Sequence, residues 1–439
     1  MMRTHRAAAP SGARRRARWP GRLLAAALLA ACAAAPAAAQ PVAGALPAEV
    51  DLPAVLRIAR EASPRLAVER EAVAAAEARR IAAAARPNPR IGIAHARRGG
   101  GAPVFEARGQ TDMSIEFPLL IAGQRGARIE AAERWIETAR ARVSAGENAL
   151  AEEAGVAFVA VLAAEARVAH AREAIGRVER ILDIVAAREA AGLASRFDLA
   201  RVEVERAALE ARLAEQLAER LDALGALAVL LGVPGWAPRP AGTLEPIAQG
   251  EVPARARADA AHPALEAARR EETAAAAAVE VARRERWPVP ALGVGRLYTD
   301  SPYGAAHYIG LSVEVPIFDT RRGPFEEARA EARAAGLRRS LIEAQLGASL
   351  ERYEALVAQR SAALERYDRE AGARLPALER MAEDAYRFGR STILEWLDAT
   401  RTQFEQRLLR IDLLAGLAEA RLRALGARGL LVADPGMRR

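Results

Sequence analysis

The residues that could carry chemistry are few and far apart. Of the five histidines, His95, His170, His262 and His307 lie beyond the N-terminal region, and no two of them stand three or four positions apart, the spacing that would bring two imidazoles onto one metal. Cys32 is the only cysteine, so no disulfide can form within the chain. Neither a phosphate-cradling glycine loop nor a nucleophile motif occurs, and the carboxylates recur at helix-surface spacing. Nothing converges on a catalytic site, a cofactor or a metal centre. One acidic group stands out, Glu379 with Glu383 and Asp384. Clustered like charges attract cations and respond to pH. A solvated helix face is the competing reading, and Arg380 among them weakens the cluster.

Cys32 belongs to a segment with its own logic. Arg3, Arg6, Arg14, Arg15, Arg16, Arg18 and Arg22 precede the apolar run from Leu23 to Ala31, the pattern of a secretory signal peptide spanning residues 1–39. The uncharged run breaks at Pro36, short of the ~20 apolar residues that a spanning helix needs. Cleavage after Ala37-Ala38-Ala39 is one outcome; the other is cleavage before Cys32, because Leu29-Ala30-Ala31-Cys32 resembles the lipobox at which the cysteine becomes acylated. The net charge is +8, and the seven arginines of this segment carry most of it. The exported chain is close to neutral, which excludes the basic footprint of a nucleic-acid binder.

The elements that position the remaining residues are long helices. Glycine and proline concentrate at Arg86 to Pro103, Gly232 to Pro253 and Trp287 to Gly323. Between them Ala, Arg, Glu and Leu run for roughly 65 residues where an ordinary helix has about 12. Apolar residues recur at helical steps, as in Leu209, Leu213, Leu217, Leu221, Leu224, Leu227 and Leu231, or Leu337, Leu341, Leu346, Leu350, Tyr353 and Val357. Such lengths imply coiled-coil-like packing.

The chain also repeats, with a period near 200 residues. Residues 40–231 form one unit, with strands at about 90–97 and 110–118 and long helices at about 122–190 and 196–231. A proline- and glycine-rich linker covers 232–261. Residues 262–428 form the second unit, with strands at about 291–298 and 307–316 and helices at about 323–388 and 392–427; a tail follows at 429–439. In the strands Met113, Ile115 and Phe117 alternate with Asp112, Ser114 and Glu116, and Ile309, Leu311, Val313 and Val315 with Tyr308, Gly310, Ser312 and Glu314. A half-buried soluble hairpin gives this pattern, and so does a membrane β-barrel. Phe105, Phe117, Trp287, Tyr298, Tyr303, Tyr308 and Phe318 crowd these segments in a chain poor in aromatics, as interfacial belts do. Four strands cannot close in lipid without exposing an edge, so a barrel requires several copies.

Taken together these segments resemble the TolC family of outer-membrane efflux proteins over nearly the whole exported chain. The resemblance rests on Ser63-Pro64 with Arg86-Pro87-Asn88-Pro89, on Ala190 to Asp198, on Pro316-Ile317-Phe318-Asp319 with Gly323, and on Tyr386 to Thr392 leading to Leu397-Asp398-Ala399. Ile121 to Arg125 and Phe318 to Gly323 look most like the CzcC branch, associated with heavy-metal efflux. The resemblance implies a mainly helical protein with a membrane β-barrel, a homotrimer completing a twelve-stranded barrel in outer-membrane lipid, and helices crossing the periplasm. It further implies partners, a periplasmic adaptor and an inner-membrane RND pump, docked at tips that here are Gly192, Leu193, Ser195 and Arg196 with Gly389, Arg390, Ser391 and Thr392. The acidic residues Glu379, Glu383 and Asp384 match a constriction found in some members. The alternatives are a drug-efflux or type I secretion channel and, from another class, a periplasmic coiled-coil adaptor or scaffold.

Overall fold

The computed structural model describes residues 46–97, 109–250, 262–300 and 304–431. The export segment with Cys32, the aromatics Phe105 and Tyr303, and residues 432–439 of the tail lie outside the described residues. In chain order the elements are β1 (Glu49–Val50), α1 (Leu52–Ala62), α2 (Pro64–Ala84), β2 (Arg90–Arg97), β3 (Gly109–Pro118), α3 (Gln124–Ala190) and α4 (Arg196–Leu231). There follow β4 (Arg239–Pro240), α5 (Leu244–Gln249), α6 (Pro263–Arg284), β5 (Pro290–Thr299), β6 (Gly304–Val313), α7 (Arg322–Tyr367), α8 (Leu375–Arg387) and α9 (Ile393–Ala427). No described helix is long and apolar enough to cross a membrane.

The four long strands form one antiparallel sheet in the order β2-β3-β5-β6. Its register aligns Ile91, Ile115, Val294 and Ile309 in one row, and Phe117, Leu292 and Leu311 in the next. Between those rows, on the opposite face, lie Arg90, Glu116, Gly293 and Gly310. Both outer strands, β2 and β6, leave one edge unpaired. The ladder ends at the pair Pro290 and Val313, earlier than the expected limit of 316, because β5 begins at a proline that has no N–H to extend it.

The helices repeat that order. Near the sheet they pack as α2, α3, α6 and α7; farther away, α4, α3, α9 and α8 adjoin in turn. The 67 residues of α3 span about 100 Å, and alanines at 127, 131, 151, 154, 163, 171 and 174 are buried along it, so neighbouring backbones approach closely. Two cores result. One gathers Val55, Leu56, Phe158, Leu162, Leu227, Leu231, Leu414 and Leu422 around α1 and α5 at mid-length; the other lies toward the far ends, with Val178, Ile181, Val202, Leu209, Trp396, Leu397 and Phe404.

Two expectations change. The helix expected over 323–388 is broken: α7 ends at Tyr367, a π-helical turn occupies Asp368–Gly372, and α8 restarts with Pro376 in its first turn. Pro376 needs no donor there, and the turn is held from outside by Arg410, whose Nε lies 2.8 Å from Asp368, and by the Tyr367 hydroxyl, which donates to the Gln406 carbonyl at 2.6 Å. The leucine stripes are also buried only in part. Leu209, Leu224, Leu227 and Leu231 are buried, whereas Leu221, Leu337 and Leu341 face outward, and Ala335 is the single buried residue of α7.

Candidate functional site

Two helix reversals lie side by side at the end of the bundle remote from the sheet, and they have the same local construction. Gly192 and Gly389 adopt φ of 71° and 70°. In the first turn the amide of Leu193 donates to the Arg188 carbonyl at 2.7 Å and that of Gly192 to Glu189 at 2.9 Å; in the second Arg390 donates to Ala385 at 2.8 Å and Gly389 to Tyr386 at 3.1 Å. This double bond is the Schellman closure, which requires a left-handed residue at the position both glycines hold. Each returning helix then starts with a capping box, Ser195 with Asp198 and Thr392 with Glu395. Capping thus accounts for the glycines, Ser195 and Thr392.

It does not account for the apolar surface around them. Leu193 is 78% exposed, Phe197 63% and Phe388 73%. Arg196 is solvent-facing apart from a 3.5 Å approach to Glu189, Arg390 is exposed, and Ser391 is half-buried. Sequence reasoning also passed over Arg188, which joins the two turns: its Nη2 donates to the Arg387 carbonyl at 2.9 Å while its guanidinium lies 5.0 Å from the Tyr386 ring. A lone arginine in an arginine-rich helix gave no signal of that contact.

The three acidic residues do not act as one group. Glu379 turns inward to form a four-membered ring of alternating charge, at 3.1 Å from Arg177 and 3.0 Å from Arg407, both of which also hold Glu173, at 2.8 and 3.0 Å. This ring ties α3, α8 and α9 together. Burial raises the Glu173 carboxyl, but the Arg407 hydrogen bond and the two guanidinium charges outweigh it and leave the group below the ordinary carboxylate range. Glu383 is half-buried, and Asp384 lies on the exposed face with Arg380. Among the described residues no three His, Cys, Asp or Glu side chains converge as metal ligands.

A buried histidine, His170, and a half-buried one, His262, flank this region and the mid-length core. Burial lowers the pKa of His170, stacked 4.8 Å from Phe404, and that of His262. His262 caps α6 as a neutral ring, accepting from the Ala264 amide at Nδ1 (3.1 Å) while Nε2 donates to the Gly426 carbonyl (3.0 Å). A histidine whose folded pKa lies below its unfolded value, ~6.5, costs nothing above that pH and destabilises the fold as pH drops through it, since the unfolded chain takes the proton first. The depressed Glu173 adds a further loss only as pH falls through the carboxylate range. The thermal midpoint should therefore begin to fall below about pH 6.5, and less so in a His170→Gln/His262→Gln variant; an identical slope in both proteins would rule the histidines out.

Residues 55–233 match the family model described as outer membrane efflux protein. The nickel and cobalt resistance protein CnrC of Cupriavidus metallidurans is 30% identical over 310 residues, 69% of this chain and 72% of that one. The chain belongs to the outer membrane efflux protein family. The cobalt-zinc-cadmium resistance protein CzcC of the same organism is 26% identical to this efflux protein over 318 residues, covering 70% and 74% of the two chains. Its fold is that of CusC, a transmembrane channel, with a TM-score of 0.70 at 17% identity over 87% of this chain and 93% of that one. The efflux protein is accordingly an outer-membrane protein of channel fold, with helices that extend into the periplasm, and its family and fold are those of channels and not of enzymes.

Proposed function

We propose that three copies of this chain form one passive conduit, the outer-membrane part of a tripartite efflux system for divalent transition-metal cations. The observation that carries the reading is the pair of matched open edges. The sheet ends at β2 and β6, and the helical layer ends at α2 and α4 on one side and at α7 and α8 on the other. In lipid an open sheet edge leaves backbone groups unsatisfied at several kcal/mol each. Identical copies joined edge to edge in a ring satisfy both layers at once, and exposed Leu221, Leu337 and Leu341 supply apolar contact along the seam. The face bearing Ile91, Ile115, Val294 and Ile309 then meets lipid, and the face bearing Asp112, Glu116 and glycines meets water. Four strands in each of three copies give twelve.

In this reading the helix reversals at Gly192 and Gly389 are the periplasmic tips. Leu193, Phe197 and Phe388 dock on an adaptor, which links the conduit to an energised RND pump, while Glu383 and Asp384 line the approach to the tip opening. The metal assignment rests on the relatives whose names carry cobalt, zinc, cadmium and nickel. Detergent-extracted protein in planar bilayers tests the conduit: discrete conductance steps, with cross-linked trimers, are expected, and a water-soluble, non-conducting product would favour a scaffold. Deleting the gene in its host should sensitise cells to those metals; unchanged metal tolerance with raised sensitivity to organic drugs would reassign the cargo.

A further inference from the structure

The lipid-facing side of the sheet is not apolar throughout. From the periplasmic end its rows run Phe117, Leu292, Leu311, then Ile91, Ile115, Val294, Ile309, and below them exposed Val315, Ile317, Phe318 and Trp287 extend the apolar band. One row farther from the helices the composition changes: Ile93 and Met113 are followed by Arg296 and His307, directly opposite each other across β5 and β6. Opposed residues bring their Cβ atoms within about 5 Å. Both side chains are exposed, and Arg296 makes no ion pair among the described residues. The next row holds His95, Thr111, Tyr298 and Ala305, with Tyr298 54% exposed, as an interfacial aromatic would be. The nearest described carboxylate on this face is Asp300, beyond that row where β5 gives way to a turn, beside Gly109 and His95.

A cation at a lipid-facing strand position is strongly disfavoured at mid-bilayer, and the cost approaches zero near an interface. Arg296 therefore marks the outer rim, the height at which outer-leaflet headgroups carry their phosphates. Guanidinium recognises phosphate through paired N–H donors, and an adjacent imidazole adds one more. We propose that Arg296 and His307 form a binding site for the phosphate of an outer-leaflet glycolipid headgroup, repeated on each copy around the barrel. The proposal rests on the conduit reading for which face meets lipid. It assigns to two residues a role that neither the apolar band nor the tips require.

The test uses the full-length trimer in detergent, titrated with diphosphorylated lipid A, with its dephosphorylated form and with inorganic phosphate, and followed by native mass spectrometry and thermal midpoint. The expected result is bound lipid and a raised midpoint with the diphosphorylated form alone, both lost in Arg296→Gln/His307→Gln and retained in Arg296→Lys at several-fold weaker affinity. Equal binding of both lipids, or binding undiminished by the double variant, would overturn the site. A response to inorganic phosphate equal to that of the lipid would overturn the headgroup assignment. Should the double variant fail to assemble, His307→Gln alone is read, with a several-fold weakening expected and none overturning the site. Single-channel conductance separates the two failures: an unaltered conductance without phosphate-dependent binding removes this site and leaves the conduit standing, whereas a trimer that never conducts removes the premise of both.

Discussion

Ile309→Arg should abolish assembly into the outer membrane, while Gly310→Arg, one residue along the same strand, should leave it intact. Ile309 is 79% exposed and sits in the central apolar row of the sheet with Ile91, Ile115 and Val294. An arginine on the lipid face at that depth costs about 2–4 kcal/mol, and a closed trimer would meet the cost three times. Gly310 points the other way, and a Cβ added there meets no heavy atom within 4 Å. Its row contains Glu116, so an arginine gains a carboxylate in the same row of the face proposed to meet water. The readout is heat-resistant trimer in the outer-membrane fraction. If both variants assemble equally, the faces have been assigned wrongly; if only Gly310→Arg fails, they are reversed.

That contrast depends on a pattern legible in the sequence. The alternation of Met113, Ile115 and Phe117 with Asp112, Ser114 and Glu116 fixes which residues share a face before any pairing is known, because a strand has period two. The paired apolar-Pro-apolar endings locate the strand limits to within a few residues. The tips were legible for a similar reason: a left-handed glycine followed by a capping residue is a local requirement, and Gly192 with Ser195 and Gly389 with Thr392 meet it from neighbours alone. What failed to show was fixed by partners distant in sequence. Around Asp368 the sequence does carry local break signals, Gly372 and Pro376, but what holds the π-turn to α9 is Arg410 across the interface with the Tyr367 hydroxyl. Glu379 read as a companion of Glu383 and Asp384, yet Arg177 and Arg407, which turn it inward, stand about 200 and 28 positions away. The short α1 and α5, which build the mid-length core, lacked the length that made the other helices conspicuous. The half-exposed leucine stripes carry the same lesson: Leu221 and Leu341 obey helical periodicity without a partner in the same chain, so periodicity marks a packing surface and leaves open whose.

Substitutions at the tip should separate folding from docking. Trp396 is 5% exposed, tilted against Tyr386 at 6.5 Å between ring centres, and packed with Val178, Ile181 and Phe404 in the far core. Trp396→Ala removes this wedge between α3, α8 and α9 and should cost about 3–5 kcal/mol, loosening both reversals, since Tyr386 is also what Arg188 rests on. Hydrogen exchange should rise at 385–400 and around 188, and efflux should fail through loss of structure. Leu193→Ala and Phe388→Ala remove side chains that touch little within the chain, so each should change stability by no more than about 0.5 kcal/mol. If these residues serve a partner, the same two substitutions together should cut adaptor cross-linking and metal tolerance as severely as Trp396→Ala does, with exchange at 385–400 unchanged. Intact cross-linking in the Leu193→Ala/Phe388→Ala protein would return the tips to being turns and nothing more. Reduced cross-linking accompanied by raised exchange would show that Phe388 holds the reversal together despite its exposure, because a docking residue can be removed without the free conduit registering the loss.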